Sequence, residues 1–264
     1  MNAAVDIAGR NPDAAELRRL NETLEARLAE RTAELQKANE ELDAFAHSVS
    51  HDLRAPLRAI SGFGQFLAEE NGAQLDDRGR VYLSRIREAS TQMDALIDDL
   101  LQFARAARLE LRRQTVDLSA LAQGIARELQ SAGSSRRVRF TCADGLRVRA
   151  DARLVRVVLM NLLGNAWKYT GKTAEPEVEF GQSGAGGDAS FFVRDNGAGF
   201  DPRYGHRLFG AFQRLHSAAE FEGTGIGLAT AQRIVHRHGG RIWAESKVNE
   251  GATFHFTLPV GETP

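Results

Sequence analysis

The strongest constraint on the fold is a long stretch that is nearly free of proline and carries a repeating apolar pattern. Between Asp13 and Glu70 the only proline is Pro56. Apolar residues recur alternately four and three positions apart, as in a coiled-coil seam. The seam consists of Leu17, Leu24, Leu28, Leu35, Ala38, Leu42, Phe45 and Val49, with Asn21 and Arg31 at its two polar positions.

A helix of this length rises roughly 80 Å at about 1.5 Å per residue, well beyond the width of a small domain. The pattern therefore predicts a helix that pairs with a second helix, most simply that of its own copy. Asn21 at an a position favours a fixed register. A single amphipathic helix lying on a globular body is the alternative.

A second helix is predicted after a polar turn at 71–79. Its apolar stripe consists of Tyr82, Ile86, Ala89, Met93, Leu96, Ile97, Leu100 and Phe103. Two helices joined by a short turn form an antiparallel hairpin, and two hairpins form a four-helix bundle. The predicted dimer therefore has a helical core.

The second half of the chain has a different pattern. After a basic segment at 105–114, the run Val116–Ser119 is predicted to open a helix that reaches about Ser131. Short strands then alternate with two further helices, which predicts an α+β sandwich. The strands are predicted at 138–142, 146–150, 177–181, 190–194, 241–245 and 253–258, and the helices at 151–169 and 225–238. The aperiodic segment 200–223 is predicted to be a functional lid.

Composition excludes several classes of protein. The 34 Lys and Arg residues nearly balance 35 Asp and Glu residues, so the chain as a whole lacks the charge that would attract nucleic acid or an anionic membrane. Cys142 is the only cysteine, which rules out an internal disulfide and disfavours a Cys-rich metal cluster. Without an apolar run of about 18 residues or a signal peptide, we expect a soluble, cytoplasmic protein with no direct membrane insertion.

The glycine-rich run 223–228 leads straight into a predicted helix. Gly223, Gly225 and Gly227 allow backbone N–H groups to approach a phosphate, and the helix N-terminus adds partial positive charge. No Lys-Ser or Lys-Thr follows, which excludes a Walker-type P-loop, and no strand immediately precedes the run, which disfavours a Rossmann crossing. A plain tight connection is the alternative.

Two further clusters favour a ligand site. The run Asp195–Gly199 ends a predicted strand and, instead of a partner strand, is followed by the lid; a simple hairpin turn is the alternative. On the helix from Asp151, Asn161, Asn165 and Lys168 share one face. Amide oxygens suit Mg²⁺ and an ammonium suits phosphate, although exposed polar residues are the ordinary explanation of a single Asn.

A fourth cluster surrounds His51. The residue falls at a c position, outside the seam, and Asp52 follows it. Pro56 removes a helical hydrogen bond at a cost of about 3 kcal/mol, a disruption that suggests a functional site. A neutral imidazole is a good nucleophile near pH 7, and an adjacent carboxylate can hold its tautomer. A surface histidine without function is the alternative.

Taken together and in this order, the clusters resemble the transmitter module of bacterial sensor histidine kinases of two-component signalling, over about residues 40–260. The matching motifs are the H box at 51–56, the N box at 161–168, the G1 box at 195–199, the F box at Phe209–Phe212 with Arg214, and the G2 box at 223–227. The surroundings of His51 and the stretch 214–245 look most like phytochrome-type kinases.

The resemblance implies an α+β multidomain fold, in which a coiled coil and a dimeric helical hairpin precede a Bergerat-type ATP-binding sandwich. The implied boundaries are a flexible N-terminus (1–16), a signalling coiled coil (17–45), a dimerisation and phosphotransfer hairpin (46–110) and a catalytic domain (111–264). His51 would attack the γ-phosphate of ATP and Asp52 would orient it. The phosphoryl group would pass to an aspartate on the receiver domain of a separate response regulator.

The resemblance also implies a role for each nucleotide-site residue. Asp195 would bond the adenine amino group, with Gly197 and Gly199 shaping the pocket. Asn165, helped by Asn161, would hold Mg²⁺. The remaining ATP-site residues are Lys168 and Arg214 facing phosphates, Tyr169 lining the pocket, Phe209 and Phe212 anchoring the lid, and Gly223, Thr224, Gly225, Gly227 and Leu228 in the glycine loop.

Two departures from the family pattern matter. Four residues after His51, where members with phosphatase activity carry Thr or Asn to orient a water, this chain has Ala55, so weak phosphatase activity is expected. About fifteen residues precede the coiled coil, too few for a folded sensor. A sensor is therefore expected to have been removed or to act from another chain, unless the kinase is constitutive.

Two other classes of function compete with an autophosphorylating homodimer. One is a conformational ATPase with the same ATP-binding fold, which the H box after a coiled coil disfavours. The other is a dimeric scaffold that binds nucleotide or regulators without transferring phosphate. The stimulus, the cognate regulator, the sign of regulation and the choice between cis and trans phosphorylation stay open at this stage.

Overall fold

The computed structural model describes residues 12–108, 110–132, 136–184, 189–217 and 220–258. The chain divides into two compact units, 1–48 and 49–264. The flexible N-terminus predicted for 1–16 falls mostly on residues 1–11, which lie outside the described ones. No helix in the described part is both long enough and apolar enough to cross a membrane.

The helical part begins with a helix close to the predicted one. Helix α1 spans Pro12–Asn71 and helix α2 spans Asp77–Arg108. Within the first unit, the seam residues Leu17, Leu24 and Leu28 are exposed, which is the state of a seam without a partner. The pairing of this seam with a second copy stays a prediction.

The turn between the two helices is set by local hydrogen bonds. The backbone N–H of Gln74 donates to the Asn71 carbonyl over 2.9 Å. The Asp76 carboxylate accepts the N–H of Gly79 over 2.7 Å and so caps the start of α2. Inside the hairpin a small apolar cluster of Leu57, Ile97 and Leu101 is buried. An ion pair of 2.6 Å joins Arg54 on α1 to Asp98 on α2.

The remaining elements form an α/β sandwich. The strands are β1 (Gln114–Asp117), β2 (Arg139–Cys142), β3 (Arg147–Ala150), β4 (Glu177–Ser183), β5 (Ser190–Asp195), β6 (Ile242–Lys247) and β7 (Gly251–Phe256). The helices are α3 (Leu118–Ala132), α4 (Ala152–Tyr169) and α5 (Gly227–Arg237), and the lid contains a 3₁₀ helix at Pro202–Arg207. A helical region followed by an α/β sheet domain was predicted from the sequence, and this fold class is confirmed.

Five strands form the main sheet in the order β2-β4-β5-β7-β6. β2 and β4 are parallel, and the other neighbours are antiparallel. One face of the sheet shares a single core with α3, α4 and α5, through side chains such as Phe180, Val193 and Phe256. The opposite face of the sheet carries Phe192, His255 and Trp243, and the rings of His255 and Trp243 are stacked. The domain is thus a two-layer sandwich.

The prediction for the start of this domain was wrong in one detail. Val116 and Asp117 do not open a helix but end strand β1, which pairs antiparallel with β3. Asp117 still helps to start the helix, because its carboxylate accepts the N–H of Ala120 over 2.9 Å. The strand is four residues long and its partner lies about thirty residues later, so no local periodicity reveals it.

The N-terminus of α4 has an extensively hydrogen-bonded cap. The Asp151 carboxylate accepts the backbone N–H groups of Arg112, Arg153 and Leu154 and also pairs with the Arg153 guanidinium. These donors hold the pKa of Asp151 far below its ordinary value. The cap fixes the direction of α4, which carries four of the predicted site residues.

Candidate functional site

A pocket in the sandwich domain brings residues of four of the sequence motifs together. It lies between α4, the ends of β5 and β7, the lid (200–223) and the start of α5. The predicted residues that line it are Asn165, Lys168, Tyr169, Asp195, Gly199, Arg214, Gly223, Gly225, Gly227 and Leu228. Motifs separated by up to about sixty residues in the sequence thus share one cavity.

Asp195 lies at the end of β5 and is only 5% exposed. Burial raises the pKa of its carboxyl group to about 6, against the effect of two backbone hydrogen bonds, from Gly197 and Ala252. The Gly197 N–H donates over 2.9 Å. At neutral pH the group is therefore a buried carboxylate, an acceptor for a donor group of a ligand.

The turn after Asp195 needs its two glycines. A Cβ at Gly197 would lie 2.5 Å from the carbonyl oxygen of Tyr169. Gly199 has φ +56°, and a Cβ there would collide with the carbonyl oxygen of Lys247. The turn is tied to the end of α4 because the Ala198 N–H donates to the Tyr169 carbonyl over 3.1 Å. The glycines therefore allow the close approach that shapes this end of the pocket.

Two cations line the pocket. The Lys168 ammonium lies 4.4 Å from the centre of the Tyr169 ring. Burial, and to a lesser degree Arg214, lowers the pKa of Lys168 to about 8. Arg214 donates to the Phe221 carbonyl over 2.6 Å. Within the described residues neither cation forms an ion pair, so the pair suits an anionic ligand.

The start of α5 offers a second feature for anions. Its N-cap, Ile226, makes no side-chain hydrogen bond to the first turn, so backbone donors there are left for another partner. Gly227 is packed against α4, since a Cβ there would collide with Oδ1 of Asn161. The close packing of α5 on α4 places these donors at the pocket.

The two asparagines of α4 differ in their surroundings. Asn161 donates from Nδ2 to the Val157 carbonyl over 2.9 Å and faces α5 instead of lining the pocket. Asn165 lines the pocket, and within the described residues its side chain makes no hydrogen bond. Three or more His, Cys, Asp or Glu side chains do not come together as a metal cage anywhere in the described part.

The structure does not bring all predicted residues to the pocket wall. Thr224 donates to the Asp99 carboxylate on α2 over 2.5 Å. Phe209 packs against the domain core, whereas Phe212 is 61% exposed with φ +62°. His51 lies on α1 and is not among the lining residues, and its side chain is outside the described ones. Asp52 is exposed on the same helix.

Several lining residues were not predicted from the sequence. They are Phe200, Leu208, Gln213, Leu215, His216, Ala252 and Phe254. Ala252 lies opposite Asp195 in the pairing of β5 with β7, and this register is invisible in either strand alone. The lid residues lacked a signal because their segment has no periodicity.

Arg136 is a further residue that the sequence did not reveal. Its guanidinium donates to the carbonyls of Trp167 and Thr170, both over 2.5 Å. These carbonyls belong to the C-terminal turn of α4, which also carries Lys168 and Tyr169. Arg136 therefore caps the helix end that supplies two pocket residues.

Comparison with known families first defines the class of the chain. Residues 150–262 match the family described as histidine kinase-, DNA gyrase B- and HSP90-like ATPase. Residues 41–108 match the His Kinase A (phospho-acceptor) domain. The chain therefore joins a phospho-acceptor helical domain to an ATPase-type sandwich.

The combination identifies the chain more closely: it belongs to the sensor histidine kinases and contains their transmitter module. It is 39% identical over 233 residues to the methanogenesis regulatory histidine kinase FilI of Methanothrix harundinacea, covering 88% of this chain and 26% of that protein. It is also 39% identical to cyanobacterial phytochrome B of Nostoc sp., covering 88% of this chain and 31% of the relative. The predicted family and its phytochrome-type likeness are confirmed.

A solved structure is also similar. Full-length ShkA in complex with AMPPNP matches with a TM-score of 0.62 and 29% sequence identity, over 81% of this chain and 45% of that one. The chain spans about a third or less of the length of FilI and phytochrome B.

Proposed function

We propose that the chain is the catalytic part of an ATP-dependent protein histidine kinase that phosphorylates its own His51. The observation that carries this proposal is the polarity of the pocket. Asp195 provides a buried acceptor suited to the adenine amino group. Lys168, Arg214 and the uncapped start of α5 provide donors suited to phosphates. The same chain carries His51 in its phospho-acceptor helix.

The transfer is a displacement at the γ-phosphorus. An imidazole nitrogen of His51 forms a bond to phosphorus while the bond to the oxygen bridging the β- and γ-phosphates breaks, and ADP leaves. Asp52 orients the ring and receives the proton that the imidazole loses. Such transfers depend mainly on positioning and on charge neutralisation by the cations of the pocket.

The residues of the pocket fit a bound Mg²⁺. Asn165 offers an amide oxygen to such an ion, whereas Asn161, one turn earlier in α4, faces α5 and is not among the lining residues. Mg²⁺ in such sites commonly takes one or two protein ligands and completes its shell with phosphates and water. The ion would neutralise charge on the phosphates.

We propose that the unit of function is a homodimer. Large side chains of the hairpin, among them Ile60, Phe63, Phe66 and Ile86, are exposed in the single chain. An apolar surface of this extent favours burial against a second copy. The proposed boundaries are those predicted from the sequence, with the coiled coil at 17–45, the hairpin at 46–110 and the ATP-binding domain from 111.

The further partner is the receiver domain of a response regulator, whose aspartate would take the phosphoryl group from His51. Ala55 lies one helical turn after His51 and cannot orient a water through its side chain. We therefore expect slow dephosphorylation of the regulator, and Ala55→Thr is expected to raise that rate. Rapid hydrolysis of a phosphorylated receiver by the unaltered protein with ADP would contradict this.

The test of kinase activity is incubation with γ-labelled ATP and Mg²⁺, followed by exposure of the labelled protein to acid and to alkali. A phosphohistidine loses its label in acid and keeps it in alkali. His51→Ala is expected to abolish labelling. His47→Ala is the matched control, because it removes another histidine four residues earlier in the same helix, and it is expected to label normally.

Two outcomes would overturn the proposal. Label that persists in His51→Ala would place the phosphoryl group elsewhere. Nucleotide binding without any label in the unaltered protein would favour a scaffold, and ATP hydrolysis without label would favour a conformational ATPase.

A further inference from the structure

We propose that His216 is a positioning residue that fastens the lid over the nucleotide pocket and thereby sets nucleotide affinity. The inference rests on the proposed function, because it assumes an adenine nucleotide as the ligand. His216 lies in the lid, lines the pocket and is half-buried. It belongs to none of the five boxes, although it lies in the stretch 214–245 that resembles phytochrome-type kinases.

The first observation is a hydrogen bond across the pocket. Nε2 of His216 lies 2.8 Å from the carbonyl oxygen of Gly199. A carbonyl oxygen only accepts, so Nε2 carries the hydrogen and donates. Gly199 belongs to the turn that follows Asp195. The bond therefore joins the lid to the base-binding end of the pocket.

The second observation is a cluster of three rings. The ring centre of His216 lies 5.2 Å from that of Tyr169 and 5.2 Å from that of Phe221, and the centres of Tyr169 and Phe221 are 5.0 Å apart. These separations are those of favourable aromatic pairs. Tyr169 ends α4, whereas the other two rings belong to the lid. The imidazole thus packs the C-terminal part of the lid against the end of a rigid helix.

The cluster also reaches both cations of the pocket. The Lys168 ammonium lies over the Tyr169 ring, and Arg214 donates to the Phe221 carbonyl over 2.6 Å. A shift of His216 would therefore displace Phe221 and, with it, the guanidinium of Arg214. The imidazole acts through its neighbours on the groups that face the phosphates.

Histidine meets two requirements at once, since it supplies a flat ring and an N–H donor at its far edge. Phenylalanine keeps the ring without the donor, and glutamine keeps a donor without the ring. The three variants His216→Phe, His216→Gln and His216→Ala therefore separate the two contributions. His206 provides a matched control, because it lies in the same lid, is exposed and is not among the residues that line the pocket.

The experiment measures the dissociation constant of a fluorescent ATP analogue, the KM for ATP and the kcat of autophosphorylation. Thermal unfolding of the nucleotide-free protein reports on folding. His216→Ala is expected to raise Kd and KM about tenfold, the effect of losing one hydrogen bond and its ring contacts. The expected kcat at saturating ATP stays within about twofold, and His216→Phe and His216→Gln are expected to lie between alanine and the unaltered protein.

The outcomes distinguish this inference from the proposed function. If the unaltered protein binds no adenine nucleotide, the proposed function fails and the inference fails with it. If the unaltered protein binds and all three variants bind equally well, only the inference is overturned. An unchanged KM with a reduced kcat would also overturn it, as would a KM that rises only in parallel with a lower unfolding temperature or rises equally in His206→Ala.

Discussion

The helical hairpin and the ATP-binding sandwich bury their apolar residues to very different extents. In the sandwich, large side chains such as Phe180 and Phe256 are completely buried within one core. In the hairpin, a small cluster around Leu57 is buried, while Phe63 is 73% and Phe66 58% exposed. A sheet covered by three helices can close its own core, whereas two helices share one stripe of contact. The sandwich thus closes its core within one chain, whereas the hairpin leaves apolar side chains exposed, as the proposed homodimer requires.

Contacts between the two regions include several polar ones, and Ala106 of α2 also lies in the buried core of the sandwich. Thr224, in the glycine loop, donates to Asp99 on α2. The Arg233 guanidinium lies 4.6 Å from the centre of the Phe103 ring, and Arg237 donates to the Ala106 carbonyl over 2.6 Å. Polar contacts of this kind are typical of domain interfaces that move. Such polar contacts suit the proposed kinase, in which the nucleotide-binding domain would have to reach His51 on α1.

The largest expected effect is on the core of the sandwich. Phe180→Ala removes a completely buried ring, which typically costs about 3–5 kcal/mol of unfolding free energy. Denaturant unfolding followed by the fluorescence of Trp167 and Trp243 measures the loss. Phe63→Ala in the hairpin is the matched control and is expected to leave this transition nearly unchanged. Equal destabilisation by both variants would break the distinction between the two cores.

The next effect concerns the hairpin surface. Phe63→Glu is expected to raise the dimer dissociation constant by at least about a hundredfold, because burying an unpaired charge costs about 3 kcal/mol or more. Sedimentation equilibrium measures this change. Phe63→Leu keeps an apolar side chain and is expected to stay dimeric. A dimer that tolerates the glutamate would show that this face is not the interface.

The third prediction concerns nucleotide binding by the pocket of the sandwich. Asp195→Asn is expected to weaken binding about 10- to 100-fold, since hydrogen bonds to a charged acceptor contribute about 1.5–3 kcal/mol. With a pKa of about 6, Asp195 loses its charge as the pH falls through 6, so affinity is expected to drop there. Titration calorimetry at several pH values measures both effects. Persistence of the same pH-dependence in Asp195→Asn would assign it to another group.

The smallest expected effect is a pH-dependence of stability within the sandwich. His238 is buried, accepts the Asp151 N–H at Nε2 over 3.1 Å and has Nδ1 2.8 Å from the Ile234 carbonyl. Burial lowers its pKa below the ordinary 6.5. Below pH 6.5 the unfolded chain therefore takes up a proton that the folded chain does not. As the pH is lowered, the free energy of unfolding decreases by at most about 1.4 kcal/mol per pH unit.

His238→Gln isolates this contribution. Asp195 acts in the opposite direction, because its raised pKa lets the folded chain bind a proton as the pH falls through 6. The difference between the variant and the unaltered protein, followed by chemical unfolding from pH 7.5 to 5, therefore carries the histidine effect. A difference that does not change with pH would assign His238 a packing role only.

Local sequence patterns predicted the helices and most strands closely. The long helix was expected at 13–70 and spans Pro12–Asn71, because heptad spacing and a lack of proline act over consecutive residues. Strand β5 was expected at 190–194 and spans Ser190–Asp195. Strand β1 was missed because its pairing with a distant strand, and not its own four residues, makes it a strand.

In the pocket, too, residues that belong to local motifs could be predicted, and residues that depend on tertiary contacts could not. Asn165, Lys168 and Asp195, which line the pocket, could be singled out because each belongs to a short motif with its own chemistry. His216 was missed because its importance depends on Gly199 and two rings that only folding brings to it.

By itself, the sequence determined that a helical region precedes an α/β sandwich, which family the chain belongs to, and which chemical groups are present for the site. Periodicity and short motifs are properties of neighbouring residues, and they can be read without a fold. Only the tertiary structure decided which groups meet: Ala252 opposite Asp195, Thr224 on Asp99, and the lid held by His216. Those contacts depend on strand register and on helix packing, which are set by the burial of the whole core and by no single segment.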